Sequence, residues 1–157
     1  MCICEMCMVF GRFFVNSHLD LFRRIVKNPH AIGTVKIFET TVTTNKLAEF
    51  DAGLVHPVYS TFALGKDAEW ACRLFVLEMK EAGEEGIGSY LSIQHLYPAP
   101  LGSKVRIEAT LQEVTGNRIR CSFIAFANGH KIAEGKQEQR IIGKSKFDDL
   151  IKSIEVN

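Results

Sequence analysis

Residues 60–83 read STFALGKDAEWACRLFVLEMKEAG. Apolar side chains fall at Leu64, Ala68, Ala71, Cys72, Phe75 and Met79, the spacing that lines one side of a helix. Ser60 or Thr61 can cap its start, and Gly83 follows its end. The stretch therefore predicts one long helix with a stripe turned toward a core. Steps of three, four and seven residues put Glu69 on a narrow face with Phe62, Gly65, Cys72 and Val76, where it is the only charge. Lys66, Arg73 and Lys80 form a separate stripe that reads as the solvated side. On this pattern a surface pair between Glu69 and Arg73, worth ~0.3–0.5 kcal/mol, explains Glu69 as well as a functional role does.

Around this helix the chain is regular. Thr34 to Thr44 reads as a strand before it, and four strands are expected after it: Gly86 to Tyr97, Lys104 to Val114, Arg118 to Ala127 and Lys131 to Ile142. Gly116-Asn117 and Asn128-Gly129 are hairpin signals, and Pro98, Pro100 and Gly102 mark a looser connection. Val105, Ile107, Ala109 and Leu111 alternate with Arg106, Glu108, Thr110 and Gln112, so the sheet has one buried and one wetter face. No βαβ repeat occurs, which makes the sheet mainly antiparallel. The tail, Ser145 to Ile154, suits a short closing helix.

The chain has 157 residues, 46% hydrophobic and 24% charged, enough for one domain with a continuous core. A formal charge of +1, evenly spread, gives no field that favours nucleic acid or a membrane surface as partner. Residues 1–31 stand apart as an N-terminal extension, with the domain at 32–157. The leader holds Cys2, Cys4 and Cys7, but Cys-x-Cys-x-x-Cys without a second Cys/His cluster is a weak metal signal, and no metal is expected. It lacks the basic start and cleavage site of a signal peptide, and Arg12 interrupts the apolar run short of a membrane span. A cytoplasmic protein with reduced thiols is the simplest expectation. His18 to Lys27 has the spacing of a short amphipathic helix.

Two further polar residues stand out. His95 falls in alternation with Ile87, Leu91, Ile93 and Tyr97, so its imidazole is expected on the core-facing side of its strand. A lone His there is more often a satisfied core residue than a catalyst. Arg140 lies on a strand polar on both faces, where an exposed Arg needs no explanation.

One strand, a long helix and four antiparallel strands is the order of the hot-dog fold, an α+β architecture in which a five-stranded sheet wraps the helix. The run Ser60-Thr61, then Glu69-Trp70-Ala71-Cys72, then His95 followed by Pro98-Ala99-Pro100-Leu101-Gly102, then Glu138-Gln139-Arg140, resembles the fluoroacetyl-CoA thioesterase-like family, over roughly Val35 to Phe147. That resemblance implies a catalytic set of Thr61, Glu69 and His95, with contributions from Gly88 and Arg140. It further implies a homodimer, or a tetramer of paired dimers, with coenzyme A lying across the interface. Coenzyme A enters as part of the substrate, and no separate cofactor is expected. The family's namesake closes its site with aromatic residues ahead of the catalytic Thr. Here Phe50 is the candidate lid and substrate-binding residue, but Asp51-Ala52-Gly53-Leu54-Val55-His56-Pro57 makes a longer, less aromatic segment. A short-chain or small metabolite acyl-CoA is therefore the expected substrate.

The residue types suit thioester hydrolysis, which needs a nucleophile, a proton carrier and donors for the oxyanion. Either His95 takes a proton from Thr61 or water while Glu69 orients the ring, or Glu69 attacks and His95 protonates the departing thiolate. Gly88 is the candidate backbone oxyanion donor. A hydratase or dehydratase of acyl thioesters and a non-catalytic acyl-CoA binding module are the competing classes.

Overall fold

A computed structural model describes residues 25–155. The cysteine-bearing leader lies outside them, as does most of the amphipathic stretch at His18 to Lys27; residues 25–27 carry no helix.

The long helix, α1, runs Thr61–Met79. Ser60 caps it, its hydroxyl accepting from the Ala63 N–H at 3.0 Å, which leaves the Thr61 hydroxyl for other work. Lys80 ends the helix, and Gly83 makes the turn beyond at φ +82°. Five strands surround α1: β1 (Val35–Thr41) and, skipping a short hairpin, β4 (Glu84–His95), β5 (Lys104–Thr115), β6 (Arg118–Ala127) and β7 (His130–Gly143). The hairpin is β2 (Leu47–Phe50) with β3 (Gly53–Tyr59). A final helix, α2 (Lys144–Glu155), follows β7.

The sheet order is β1-β5-β6-β7-β4, and every pairing in it is antiparallel. This is the α+β arrangement expected from the sequence. The two tight turns follow their residues. Asn128 and Gly129 both have positive φ, +51° and +80°, as a type I′ turn requires. At the other turn only Gly116 is positive, at +61°, as in type II′.

The core lies between α1 and the concave face of the sheet. Leu64, Ala68, Phe75 and Val76 from the helix meet Ile107, Leu111, Ile119 and Phe123 from the strands, all at 1% exposure or less. Burying a Leu, Ile or Phe stabilises by roughly 1.5–3 kcal/mol each, so this interface dominates the fold's stability. Ahead of β1, Val26 is buried in the same core and His30 packs edge-on against Phe75, with ring centroids 5.3 Å apart.

The β2–β3 hairpin was not expected from the sequence. Its strands are short, its register shifts twice, and six of the seven residues of β3 lie at least partly in solvent without a clean alternation. The period-two signal is therefore absent there. Gly53, at φ +103°, makes the turn possible.

Candidate active site

Two elements, α1 and β4, bring the polar residues together. Thr61 opens α1, and its Oγ1 lies 2.9 Å from Nδ1 of His95, at the end of β4. His95 is half-buried, and its Nε2 is enclosed without a hydrogen-bond partner. Burial pushes the imidazole pKa below its ordinary value, an effect only partly opposed by a backbone interaction at Tyr97. The shift favours the neutral ring, whose Nδ1 can accept a proton in the tautomer that carries its hydrogen on Nε2.

Glu69 lies two turns further along α1, half-buried. Its carboxylate fills the space beside Gly88 on β4: a Cβ added at Gly88 would sit 3.1 Å from Cδ of Glu69 and inside contact with Oε1. No ion pair joins Glu69 to Arg73 among the described residues. Arg73 instead donates to Glu85 Oε1 at 2.7 Å and to the Gly86 carbonyl at 2.9 Å. The surface-pair explanation of Glu69 fails on this point. Nor does a hydrogen bond or ion pair join Glu69 to His95 among the described residues, so the carboxylate does not orient the ring within one protomer.

Simple alternation would put Gly88 and His95 on opposite faces of β4, since seven residues separate them. A bulge between Gly88 and Tyr90 reverses the phase. Gly86 and Gly88 face α1 before it; Leu91 and Ile93, which approach Gly65, face α1 after it. The expected alignment of Ile87 with Leu91, Ile93 and His95 is accordingly broken at the bulge.

Two expected contributors are elsewhere. Arg140 points to the sheet face away from α1, 3.7 Å from Glu138 and paired in register with Arg118. Its neighbour Gln139 faces the helix instead. Gln139 is 1% exposed and donates to the Glu69 backbone carbonyl at 3.3 Å and to Gln137 Oε1 at 3.3 Å. One residue of strand parity separates the two outcomes, and the polar character of both faces of β7 hid it. Phe50 sits at the hairpin tip, 71% exposed, beside the turn.

Thr61 and Glu69 open onto one groove of about 680 Å³, whose walls include Phe38, Phe62, Trp70 and Leu91. Phe62 and Trp70 are 87% and 43% exposed, large apolar surface beside polar groups. The sequence offered a signal for them, since both flank the helix stripe without belonging to it.

The family model described as fluoroacetyl-CoA-specific thioesterase, FlK, matches residues 42–145. The chain belongs to the FlK thioesterase family. Members of that family are thioester hydrolases, and this chain is one of them. A Thermus thermophilus hypothetical protein, described as a thioesterase superfamily member, is 37% identical over 82% of this chain and 96% of its own, with a TM-score of 0.78. A point mutant of FlK is 22% identical over 81% of this chain and 98% of its own, with a TM-score of 0.75. A hot-dog-like protein from Thermanaerovibrio acidaminovorans is 21% identical over 78% and 90%, with a TM-score of 0.71. The last two show the shared fold. FlK structures exist with acetyl-CoA and with fluoroacetate and CoA. No curated protein matches the chain. Among the described residues, no helix is long and apolar enough to cross a membrane, and no group of three or more His, Cys, Asp or Glu could hold a metal ion.

Proposed function

We propose that this thioesterase hydrolyses a short-chain or small metabolite acyl-CoA to the free acid and coenzyme A, with Thr61, Glu69 and His95 as the catalytic set. The contact that carries the reading is the 2.9 Å approach of Thr61 Oγ1 to His95 Nδ1 at a groove that also holds Glu69.

In this scheme neutral His95 accepts the Thr61 proton at Nδ1 as Oγ1 attacks the thioester carbonyl. The carbonyl oxygen becomes an oxyanion beside the Gly88 backbone, where the missing side chain permits close approach. The C–S bond breaks, and the imidazolium returns its proton to the coenzyme A thiolate. Glu69 then takes a proton from the water that opens the acyl-Thr61 ester, and that proton passes to the departing Thr61 oxygen as the acid is released.

A groove of about 680 Å³ has room for part of the coenzyme A moiety and for an acyl group larger than two carbons, which fits a short-chain or small metabolite acyl-CoA. The exposed position of Phe50 fits with this relaxed specificity. We also assign a homodimer. β4 is an edge strand, it carries exposed Tyr90 and Leu91, and Phe62 and Trp70 lie near it on α1. A second copy paired along β4 would cover that surface and place the groove, with the coenzyme A moiety, at the interface. The free thiols of Cys72 and Cys121 fit a reducing cytoplasm.

Intact-mass measurement of enzyme quenched during turnover tests the scheme. The expected result is a mass increase equal to the acyl group, absent in Thr61→Ala; an adduct mapped to Glu69 would overturn the assignment of the nucleophile.

A further inference from the structure

The chain holds a second polar cluster that the reaction does not consume. Asp67 is 7% exposed, and its Oδ2 accepts from the Tyr59 hydroxyl at 2.5 Å and from Lys46 Nζ at 2.6 Å. Lys46 also donates to Thr40 Oγ1 at 2.5 Å. Four segments meet here: β1, the 3-10 turn Thr44–Lys46, the end of β3, and α1.

Tyr59 is the hinge of this arrangement. It is 1% exposed and stands two residues before Thr61. Its own N–H donates to the Ala99 carbonyl at 2.8 Å, in the loop four residues after His95. The next residue, Ser60, donates its N–H to the Lys46 carbonyl at 2.9 Å. The chain on either side of the Thr61–His95 contact is thus fastened to Tyr59, and Tyr59 is fastened to Asp67.

We infer that Asp67 is a positioning residue, which through Tyr59 and Lys46 sets the approach of Thr61 to His95. The inference rests on the reading of Thr61 and His95 as the reacting pair. Three physical points support it. A buried carboxylate is costly unless paired and hydrogen-bonded, and Asp67 is both, so the cluster has one well-defined geometry. Burial and the adjacent Asp67 push the Tyr59 hydroxyl far above its ordinary pKa, so it remains a donor at any working pH. Finally, Asp67 is anchored within α1 itself, so the helix that carries Thr61 also carries the group that fixes its entry. Stability alone would be served by an apolar pair in place of Tyr59 and Asp67. Directional hydrogen bonds instead fix where the loop enters the helix, and a displacement of about 1 Å there would cost a reacting pair roughly 10²-fold.

The test is Tyr59→Phe, which removes one hydrogen bond and leaves the Asp67–Lys46 pair in place, with the isosteric Asp67→Asn as a second variant should the first fold poorly. The readouts are kcat and KM for acyl-CoA hydrolysis, thermal melting, and the ¹⁵N signals of the His95 ring. Positioning predicts a kcat loss of roughly 10- to 100-fold with little change in KM. It also predicts His95 ring signals shifted toward those of Thr61→Ala, and no further loss when Tyr59→Phe is added to Thr61→Ala. A lower melting temperature with unchanged kcat and unchanged His95 signals would overturn it. The ring signals do not depend on turnover. If the wild type hydrolysed no acyl-CoA, the thioesterase reading would fall, and the signals would still decide whether Tyr59 and Asp67 hold Thr61 against His95.

Discussion

The carboxylate of Glu69 occupies the volume that a side chain at Gly88 would need. The obstacle is the far end of a flexible side chain, which can swing aside. Gly88→Ala is therefore expected to change stability by no more than about 1 kcal/mol, yet to displace Glu69 and reduce kcat/KM by about 10²-fold. Gly135 is the contrast. A Cβ there meets the Ser92 backbone carbonyl and the Phe123 ring, so Gly135→Ala should cost ~1–3 kcal/mol or more through overpacking. Melting curves and acyl-CoA kinetics on the two variants separate the effects.

The neutral state of His95 sets the pH dependence. Its pKa in the folded protein lies below 6.5, so log kcat/KM should rise with pH below that value and level off before neutrality. The stability sign follows from the same shift. The unfolded chain binds this proton at higher pH than the folded one, so the contribution is fully present above pH 6.5 and is lost as pH falls through the folded pKa. His95→Ala should flatten that segment of a melting-temperature profile. A kcat/KM that climbs only above pH 7 would contradict a neutral His95 as base.

Arg140 and Gln139 give opposite predictions although they are adjacent. Gln139→Ala removes a buried donor from the Glu69 carbonyl and leaves Gln137 and Arg73 to rearrange, costing about 1–3 kcal/mol and lowering kcat. Arg140→Ala leaves Glu138 in contact with Arg118 and Arg120, so kcat/KM should stay within about twofold of wild type, as for a substitution on the far face. Steady-state kinetics on both variants decide which face of β7 serves the reaction.

Much of this was legible from the residues. The α1 stripe and the β5 alternation gave the two sides of the core, because a helix and a strand buried on one face each show a clean period. The turns at Asn128-Gly129 and Gly116-Asn117 were equally readable from backbone preference. What escaped was phase. A bulge at Ser89 leaves no mark in composition, so alternation placed Leu91, Ile93 and His95 on the helix side correctly but put Ile87, ahead of the bulge, in phase with them. On β7, polar residues on both faces concealed that Gln139 rather than Arg140 looks at Glu69. The β2–β3 hairpin is mostly exposed and irregular, and so carries no hydrophobic pattern to read. The Tyr59–Asp67 pair is invisible for another reason: its members lie on different elements, and only the fold brings them together.

A homodimer paired along β4 predicts a particle of twice the chain mass by analytical ultracentrifugation. Tyr90→Glu, which puts a charge on the exposed surface of that strand, should shift it toward the monomer. A wild-type protein that sediments as a monomer at working concentration would contradict the assembly.

The central claim is that Thr61, Glu69 and His95 act together on an acyl-CoA. The most direct measurement is release of free coenzyme A from acetyl-, propionyl-, malonyl-, aromatic and medium-chain acyl-CoAs by the wild type, Thr61→Ala, Glu69→Gln and His95→Ala. The account predicts rapid hydrolysis of one acyl class, reduced at least 10²-fold in each variant while folding and binding persist. Hydrolysis that survives all three substitutions, or saturable binding without any release, would contradict it.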